Sequence, residues 1–494
     1  MPDHSTHDRQ TGPMTLKQLS IASECAPFVK TGGLADVVGA LARVMGDFDV
    51  ECRVLLPLYR QIAHLAKGAR EVMNLGAAFG GPVRVLAKKA SGVSLLLVDA
   101  PHLYDRPGQI YLNEAGLDWK DNHLRFGLLS WLGAEIGRAG IDGWRPDVLH
   151  AHDWQAGLTP VYARASGAAT PPCILTIHNI AFQGNFPATM MGTLNLDPAQ
   201  FTQSGFEYYG QISFLKGGLM AADQITTVSP TYARELLTPE FGMGLEGVLN
   251  ARNADLSGIL NGIDTQVWDP SNDPAIAQTY SSRTLAKKNK NKQALLRRFG
   301  LGADRTGPLF SVISRLSGQK GLDLALEALP FVLDKGASFV LLGSGETALE
   351  YGFRELAQRY PDRVGVEIGF DEDLAHLIQA GADATLVPSR FEPCGLTQLC
   401  AMRYGTLPVV SRTGGLADTV IDANAAALVA DCATGFQFGP VSAENLKEAL
   451  FRAMELYEDK KAWQKTQRNA MKHPVGWDRS AQRMADAYKS LQEN

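Results

Sequence analysis

The chain has 494 residues, of which 45% are hydrophobic and 20% charged, and a formal net charge of −5. That is the composition of an ordinary soluble globular protein, too long for one core, so two or three domains are expected. It argues against a nucleic-acid surface, because no Lys/Arg block dominates and the densest cluster, Lys287 to Lys292, reads as a solvated linker. No apolar run reaches spanning length, and residues 1–14 read as a disordered N-terminal tail without the apolar core of a signal peptide. Six cysteines with no C-x-x-C pair read as free thiols, so a cytoplasmic protein is expected, with no membrane partner.

A strand at Gln18 to Ser23 leads through Pro27 to Lys30-Thr31-Gly32-Gly33. Leu34, Val37, Val38, Leu41 and Met45 then share one helical face. Apolar strands follow at Cys52 to Leu56 and Val93 to Val98, and an irregular aromatic loop runs from Tyr104 to Asn122. Val148 to Ala151 ends in His152-Asp153-Trp154, and Ile174 to Ile177 ends in His178-Asn179. Ile225 to Val228 and Gly258 to Leu260 complete an alternating β/α series, turned out by Asn261-Gly262-Ile263-Asp264. This predicts a first doubly wound domain over residues 15–268 and an exposed connecting segment over 269–305.

The alternation restarts with strands at Leu309 to Ser314, Ser338 to Leu342 and Val364 to Ile368, with helices from Gly321, Thr347 and Glu372. A strand at Ala384 to Val387 then opens into P-S-R-F-E-P-C-G-L-T, carrying Glu392, with a helix from about Gly395. Leu407 to Val410 leads to a second glycine turn, Thr413-Gly414-Gly415. A second doubly wound domain over 306–476 and a C-terminal helix over 477–494, packing back toward the first domain, complete the prediction. Thr31 to Val38 and Thr413 to Val420 agree at seven of eight positions, each between a strand and a helix. The economical reading is one phosphate-approach device used twice, with free backbone N–H groups at a sheet edge.

Several residues at these edges carry chemistry. Arg315 and Lys320 project where ligands bind such sheets, and two fixed cations there neutralise a departing diphosphate; the alternative is a surface pair beside a helix. His152-Asp153 and His178-Asn179 each close a strand of the first half, on the same edge, and suit sugar hydroxyls, whereas a lone histidine is more often a satisfied core residue. Gly343-Ser344-Gly345-Glu346-Thr347-Ala348 satisfies G-x-G-x-x-A with Glu367 on the next strand, which keeps a nicotinamide site open, although it follows the second strand of its domain. Cys394 stands at a helix start with no histidine near it in sequence, so packing is favoured over nucleophilic attack. No H-E-x-x-H or closed His/Cys set is present, and no metal or cofactor is expected.

Taken together, K-T-G-G-L-A-D-V-V-G-A-L at 30–41, H-A-H-D-W-Q-A at 150–156, T-I-H-N-I-A-F-Q-G at 176–184, L-N-G-I-D at 260–264 and S-R-L-S-G-Q-K-G-L-D at 314–323 resemble the bacterial glycogen synthase and plant starch synthase family. The stretch from Pro388 to Val420 belongs to the same resemblance, which covers nearly all of the chain after Met14. It implies a glycosyltransferase B fold, two Rossmann-like domains facing across a cleft. The implied reaction is retaining transfer of glucose from ADP-glucose to the non-reducing 4-hydroxyl of an α-1,4-glucan. In that reading Arg315 and Lys320 hold the leaving diphosphate, Glu392 lies near the glucosyl unit, and His178 and Asp153 address its hydroxyls. Lys30, Gly32 and Gly33 approach the donor, Tyr104 stacks at the base, and Asn179, Asn261, Cys394, Gly395, Leu396, Thr397, Thr413, Gly414 and Gly415 surround the rest. The choice of ADP over UDP comes from the resemblance alone.

Overall fold

The computed structural model describes residues 15–165, 167, 169–302 and 306–493. The tail at 1–14 therefore lies outside the described residues, as do 303–305 of the predicted connecting segment. Two compact units emerge: 15–226 with Gly242–Ser257 and 478–493, and Thr227–Phe241 with Gly258–Trp477.

The first unit is built on a nine-stranded sheet. In chain order its strands are β1 (Leu16–Ile21), β2 (Val50–Pro57), β3 (Arg70–Ala78), β4 (Gly81–Ala90), β5 (Val93–Asp99), β6 (Val148–His152) and β7 (Cys173–Ile177). β8 (Asn185–Pro187), β9 (Glu207–Tyr208) and β10 (Gln211–Ser213) form a small separate sheet, and β11 (Gln224–Thr227) and β12 (Leu256–Gly258) return to the large one. Its order is β12-β11-β7-β6-β1-β2-β5-β4-β3. From β7 to β5 the pairing is parallel, and β6 and β7 are buried at every residue, as a sheet covered on both faces requires. The antiparallel hairpin β3–β4 escaped the sequence reading because β3 has no buried residue and β4 interleaves Arg84, Lys88 and Lys89 with its apolar residues. The helix Gly33–Val44 buries Leu34, Val37, Val38 and Leu41. It comes so close to the preceding loop that a Cβ on Gly39 would stand 2.2 Å from the carbonyl oxygen of Ala26. The C-terminal helix Asp478–Glu493 lies in this unit, where the Tyr488 hydroxyl meets His150 Nδ1 at 2.7 Å.

The second unit holds six strands: β13 (Leu309–Ile313), β14 (Ser338–Gly343), β15 (Val364–Ile368), β16 (Ala384–Val387), β17 (Leu407–Ser411) and β18 (Phe436–Phe438). They lie in the order β15-β14-β13-β16-β17-β18, all parallel. The order reverses beside β13, so β13 and β16 flank the switch point where doubly wound sheets take their ligands.

One expectation fails here. The cluster Lys287 to Lys292 is no solvated linker, since Lys288, Asn291 and Lys292 are buried. The helix Lys288–Arg298 packs Leu295 and Leu296 into the core beside Ile378 and Val340. Lys288 and Lys292 are themselves buried. Lys288 Nζ donates to the carbonyls of Gln379 and Ala380 and to Thr406 Oγ1, while Lys292 Nζ pairs with Asp383 at 2.6 Å. Burial lowers the Lys288 ammonium to about 7, against the smaller opposing pull of Asp383. The acceptors lie 91 to 118 residues away in sequence, which is why composition alone reads this helix as solvated.

Candidate functional site

In the second unit, the chain leaving β13 turns Leu316 into the core and Arg315 outward, where among the described residues its guanidinium has no ion-pair partner. The short turn Gly318–Lys320 follows, and Gly321, at φ +65, closes it. A Cβ at Gly321 would lie 2.0 Å from the carbonyl oxygen of Pro388, so glycine is needed for this turn to rest on the loop after β16. That contact brings Lys320 Nζ to 2.6 Å from Glu392 Oε2, which also accepts the Ser389 hydroxyl at 2.8 Å. Arg390 locks the two loops together through Gly318 O at 2.6 Å and the carboxylate of Asp323. Lys320, Glu392, Gly395, Leu396 and Thr397 line one small cavity of about 70 Å³. Thr397 begins the helix Thr397–Arg403, two residues later than the sequence suggests.

Cys394 is buried beside Asn261, and burial pushes its thiol up to about 12. It is a neutral packing residue, not a thiolate.

The second glycine turn is the clearest correction. Thr413, Gly414 and Gly415 do not present free donors. Thr413 Oγ1 and the Gly414 N–H both donate to Glu235 Oε1 at 2.9 Å, and the Gly415 N–H donates to the carbonyl oxygen of Glu392 at 3.1 Å. A Cβ on Gly414 would stand 1.9 Å from Glu392 O, and one on Gly415 would stand 2.1 Å from Cys394 O. These glycines let the Glu392 loop lie directly on the helix Gly414–Thr419. The G-x-G-x-x-A run is likewise consumed by packing: a Cβ on Gly343 or Gly345 would meet Ser314 O or Leu316 O at 2.0 and 2.1 Å. Glu367 is paired with Arg298.

In the first unit the same T-G-G motif is used differently. Nothing lies within 4 Å of a Cβ built on Gly32 or Gly33, so this turn faces open space. Its inner side is held by Glu24, which accepts the Thr31 N–H at 2.5 Å, the Thr31 hydroxyl at 2.6 Å, the Gly32 N–H at 3.2 Å and the Tyr111 hydroxyl at 2.6 Å. Lys30, largely exposed, reaches Asp36 at 2.8 Å. A cavity of about 440 Å³ opens beside Lys30 and Thr31, bordered by Gln61, Gln109 and Ile110.

Tyr104 is not available to a base. It is fully buried, its ring sits edge-on to Tyr59 at 5.6 Å, and its hydroxyl donates to Arg125 O at 2.6 Å. Asp153, held at φ +55 after β6, spends Oδ1 on the backbone N–H groups of His178 (2.6 Å) and Asn179 (3.3 Å). Burial raises its carboxyl to about 7 against those hydrogen bonds. His178 is buried, with Nε2 at 3.0 Å from His152 Nδ1, and burial lowers its imidazole to about 3.

Four residues escaped the sequence reading. Glu24 and Glu235 hold the two glycine turns, and Ser389 steadies Glu392. Phe370 follows Gly369 at the carboxyl end of β15 with 87% of its surface exposed. Glu24 had a local signal, a lone carboxylate in the apolar stretch at the end of a strand, and Phe370 had a weaker one, an aromatic after a strand-end glycine.

Residues 17–251 match the family described as starch synthase catalytic domain, and 296–470 match glycosyl transferases group 1. With its two doubly wound units, the protein is a hexosyltransferase of the glycosyltransferase B fold. The fold is similar to the catalytic domain of starch synthase IV from Arabidopsis thaliana bound to ADP and acarbose, with 30% identity and a TM-score of 0.84 over 97% of this chain and 100% of that one. Sucrose-phosphate synthase from Thermosynechococcus elongatus shares the fold at 18% identity and a TM-score of 0.59, over 96% of this chain and 99% of that one. Glycogen synthase of Roseobacter denitrificans is 56% identical over 96% of this chain and 99% of its own length. That of Rhodopseudomonas palustris is 52% identical over 96% and 97%. The chain belongs to the bacterial glycogen synthase family.

Proposed function

We propose that the protein elongates glycogen by transferring glucose from ADP-glucose to the non-reducing 4-hydroxyl of an α-1,4-glucan, with retention. The observation that carries this reading is the Lys320–Glu392–Ser389 cluster at the switch point of the second sheet, with Arg315 exposed on the same loop after β13 as Lys320. Arg315 and Lys320 stabilise the diphosphate as it departs, which lowers the barrier at the bond that breaks. Glu392, held by Ser389 and Lys320, sits next to the glucosyl unit, while the acceptor hydroxyl enters on the face the diphosphate leaves. The Glu392 loop keeps its place because Gly414 and Gly415 carry no side chain.

In the first unit Lys30 and the open Gly32-Gly33 turn approach the donor, and His178 and Asn179 address the glucosyl hydroxyls. Asp153 acts through them, since its carboxylate shapes the backbone that carries both. Phe370, rather than Tyr104, takes the base, because it is the exposed aromatic at the nucleotide-binding edge. No metal or cofactor enters the step. The ADP-bound starch synthase supports ADP as the carrier. Among the described residues no helix is long and apolar enough to cross a membrane, and a cytoplasmic location fits the family.

Glucan extension measured with ADP-glucose and UDP-glucose in parallel, with and without a chelator, tests the reading. New α-1,4 linkages from ADP-glucose in both conditions are expected. No transfer from either donor would refute it.

A further inference from the structure

Three histidines stack along β6 and β7 in the first unit, and only one of them has a role so far. His150 and His152 are two apart on β6 and so share a face. Their rings lie 4.0 Å apart, and the His178 ring is 5.3 Å from that of His152. Behind His152, Ser20 Oγ on β1 lies 3.5 Å from Nε2, and Gln18 Nε2 donates to the same Ser20 oxygen at 3.1 Å. His150 closes a separate branch through Tyr488 and Thr176. Burial keeps His152 and His178 neutral.

Two neutral imidazoles joined nitrogen to nitrogen hold one N–H and one lone pair between them. The contact at 3.0 Å between His152 Nδ1 and His178 Nε2 therefore allows two arrangements. Ser20 biases the choice. Its oxygen accepts from Gln18, and its O–H has two acceptors in reach, the Cys52 sulfur and His152 Nε2, of which the imidazole nitrogen is the stronger. With that O–H donated to His152 Nε2, His152 carries its own proton on Nδ1, His178 Nε2 accepts it, and the His178 proton resides on Nδ1.

We propose that His152 is a positioning residue for the transfer: it ties down His178 Nε2 and leaves an oriented N–H at His178 Nδ1 as the ring group that meets the glucosyl unit. This rests on the reading of His178 given above. A ring held this way presents a donor without reorganising on binding, which is the preorganisation that lowers transition-state energy.

The test joins a spectroscopic readout to kinetics on the full chain. Long-range 15N spectra of histidine-labelled protein should show His178 as the neutral Nδ1–H tautomer from pH 6 to 8. His152→Leu should mix the two tautomers and lower kcat/KM for ADP-glucose about tenfold, the effect expected of one lost buried hydrogen bond. His152→Asn, which keeps an N–H donor near the Nδ1 position, should recover most of both signals. Adding His152→Leu to His178→Ala should cost nothing further. A wild-type spectrum showing the Nε2–H tautomer would overturn the proposal without needing any variant to fold, and so would multiplicative losses in the double variant. Full turnover in His178→Ala, even with the expected tautomer seen in the wild type, would remove the role of His178 itself and the proposal with it.

Discussion

Lys320→Ala separates two roles that its geometry combines. The ammonium is 2.6 Å from Glu392 Oε2, with 18% and 9% of the two side chains exposed. Removing one partner of a buried ion pair costs about 3–5 kcal/mol, and the partial exposure of Lys320 brings that down to roughly 2–3 kcal/mol. For a unit of this size that is about 5–10 °C in the melting transition. If Lys320 also stabilises the departing diphosphate, turnover falls roughly 10²–10³-fold, or about 3–4 kcal/mol of transition-state energy. Arg315→Ala is the control, because its guanidinium is exposed and unpaired among the described residues. It should show a similar loss of turnover with little change in melting. Lys320→Ala/Glu392→Gln should regain stability, because no buried carboxylate is left without its cation, yet stay slow. Initial rates at saturating donor, beside calorimetry on all four proteins, give the answer. Recovery of turnover in the double variant would refute the reasoning, since Lys320 would then serve only to neutralise Glu392.

Three further outcomes follow from the same geometry. Gly414→Ala should unfold or badly destabilise the second unit, because its Cβ would stand 1.9 Å from Glu392 O, whereas Gly32→Ala should fold normally; equal melting temperatures would contradict the packing. Phe370→Ala should raise KM for ADP-glucose about tenfold or more with kcat and glucan affinity little changed, as one lost base–aromatic stack predicts; an unchanged donor KM would sink its role. The first unit should lose stability on acidification. Burial lowers His150 and His178 from their ordinary 6.5 to about 3 and holds His152 well below 6.5, so their contribution is present above pH 6.5 and is lost as pH falls. Asp153, raised to about 7, acts oppositely between its ordinary 3.8 and 7. Three histidines against one aspartate leave a net uptake of protons on unfolding near pH 5, so stability falls as the pH is lowered from 7. Denaturant unfolding with the same midpoint at pH 7 and pH 5 would contradict this.

The alternation of strand, glycine turn and helix was legible in the sequence because a parallel sheet covered on both faces needs short continuous apolar runs, and its turns need glycine at fixed places. The strands at 309–313, 338–343, 364–368, 384–387 and 407–411 all declare themselves in this way. The residue types on the loops that leave the strands were legible too: His178 directly follows β7, and Lys320 and Glu392 stand on the loops after β13 and β16. What no local pattern contains is the partner. Thr31-Gly32-Gly33 and Thr413-Gly414-Gly415 are the same letters, yet one turn faces open space and the other carries the backbone of Glu392. Lys288 reads as solvated until carbonyls about 90 residues on close over it, and Tyr104 reads as a stacking ring until Tyr59 and Arg125 enclose it. Backbone conformation is set by neighbours along the chain and so is written locally. Burial, charge pairing and the direction a donor faces are set by segments brought together through folding, and only the tertiary structure decides them.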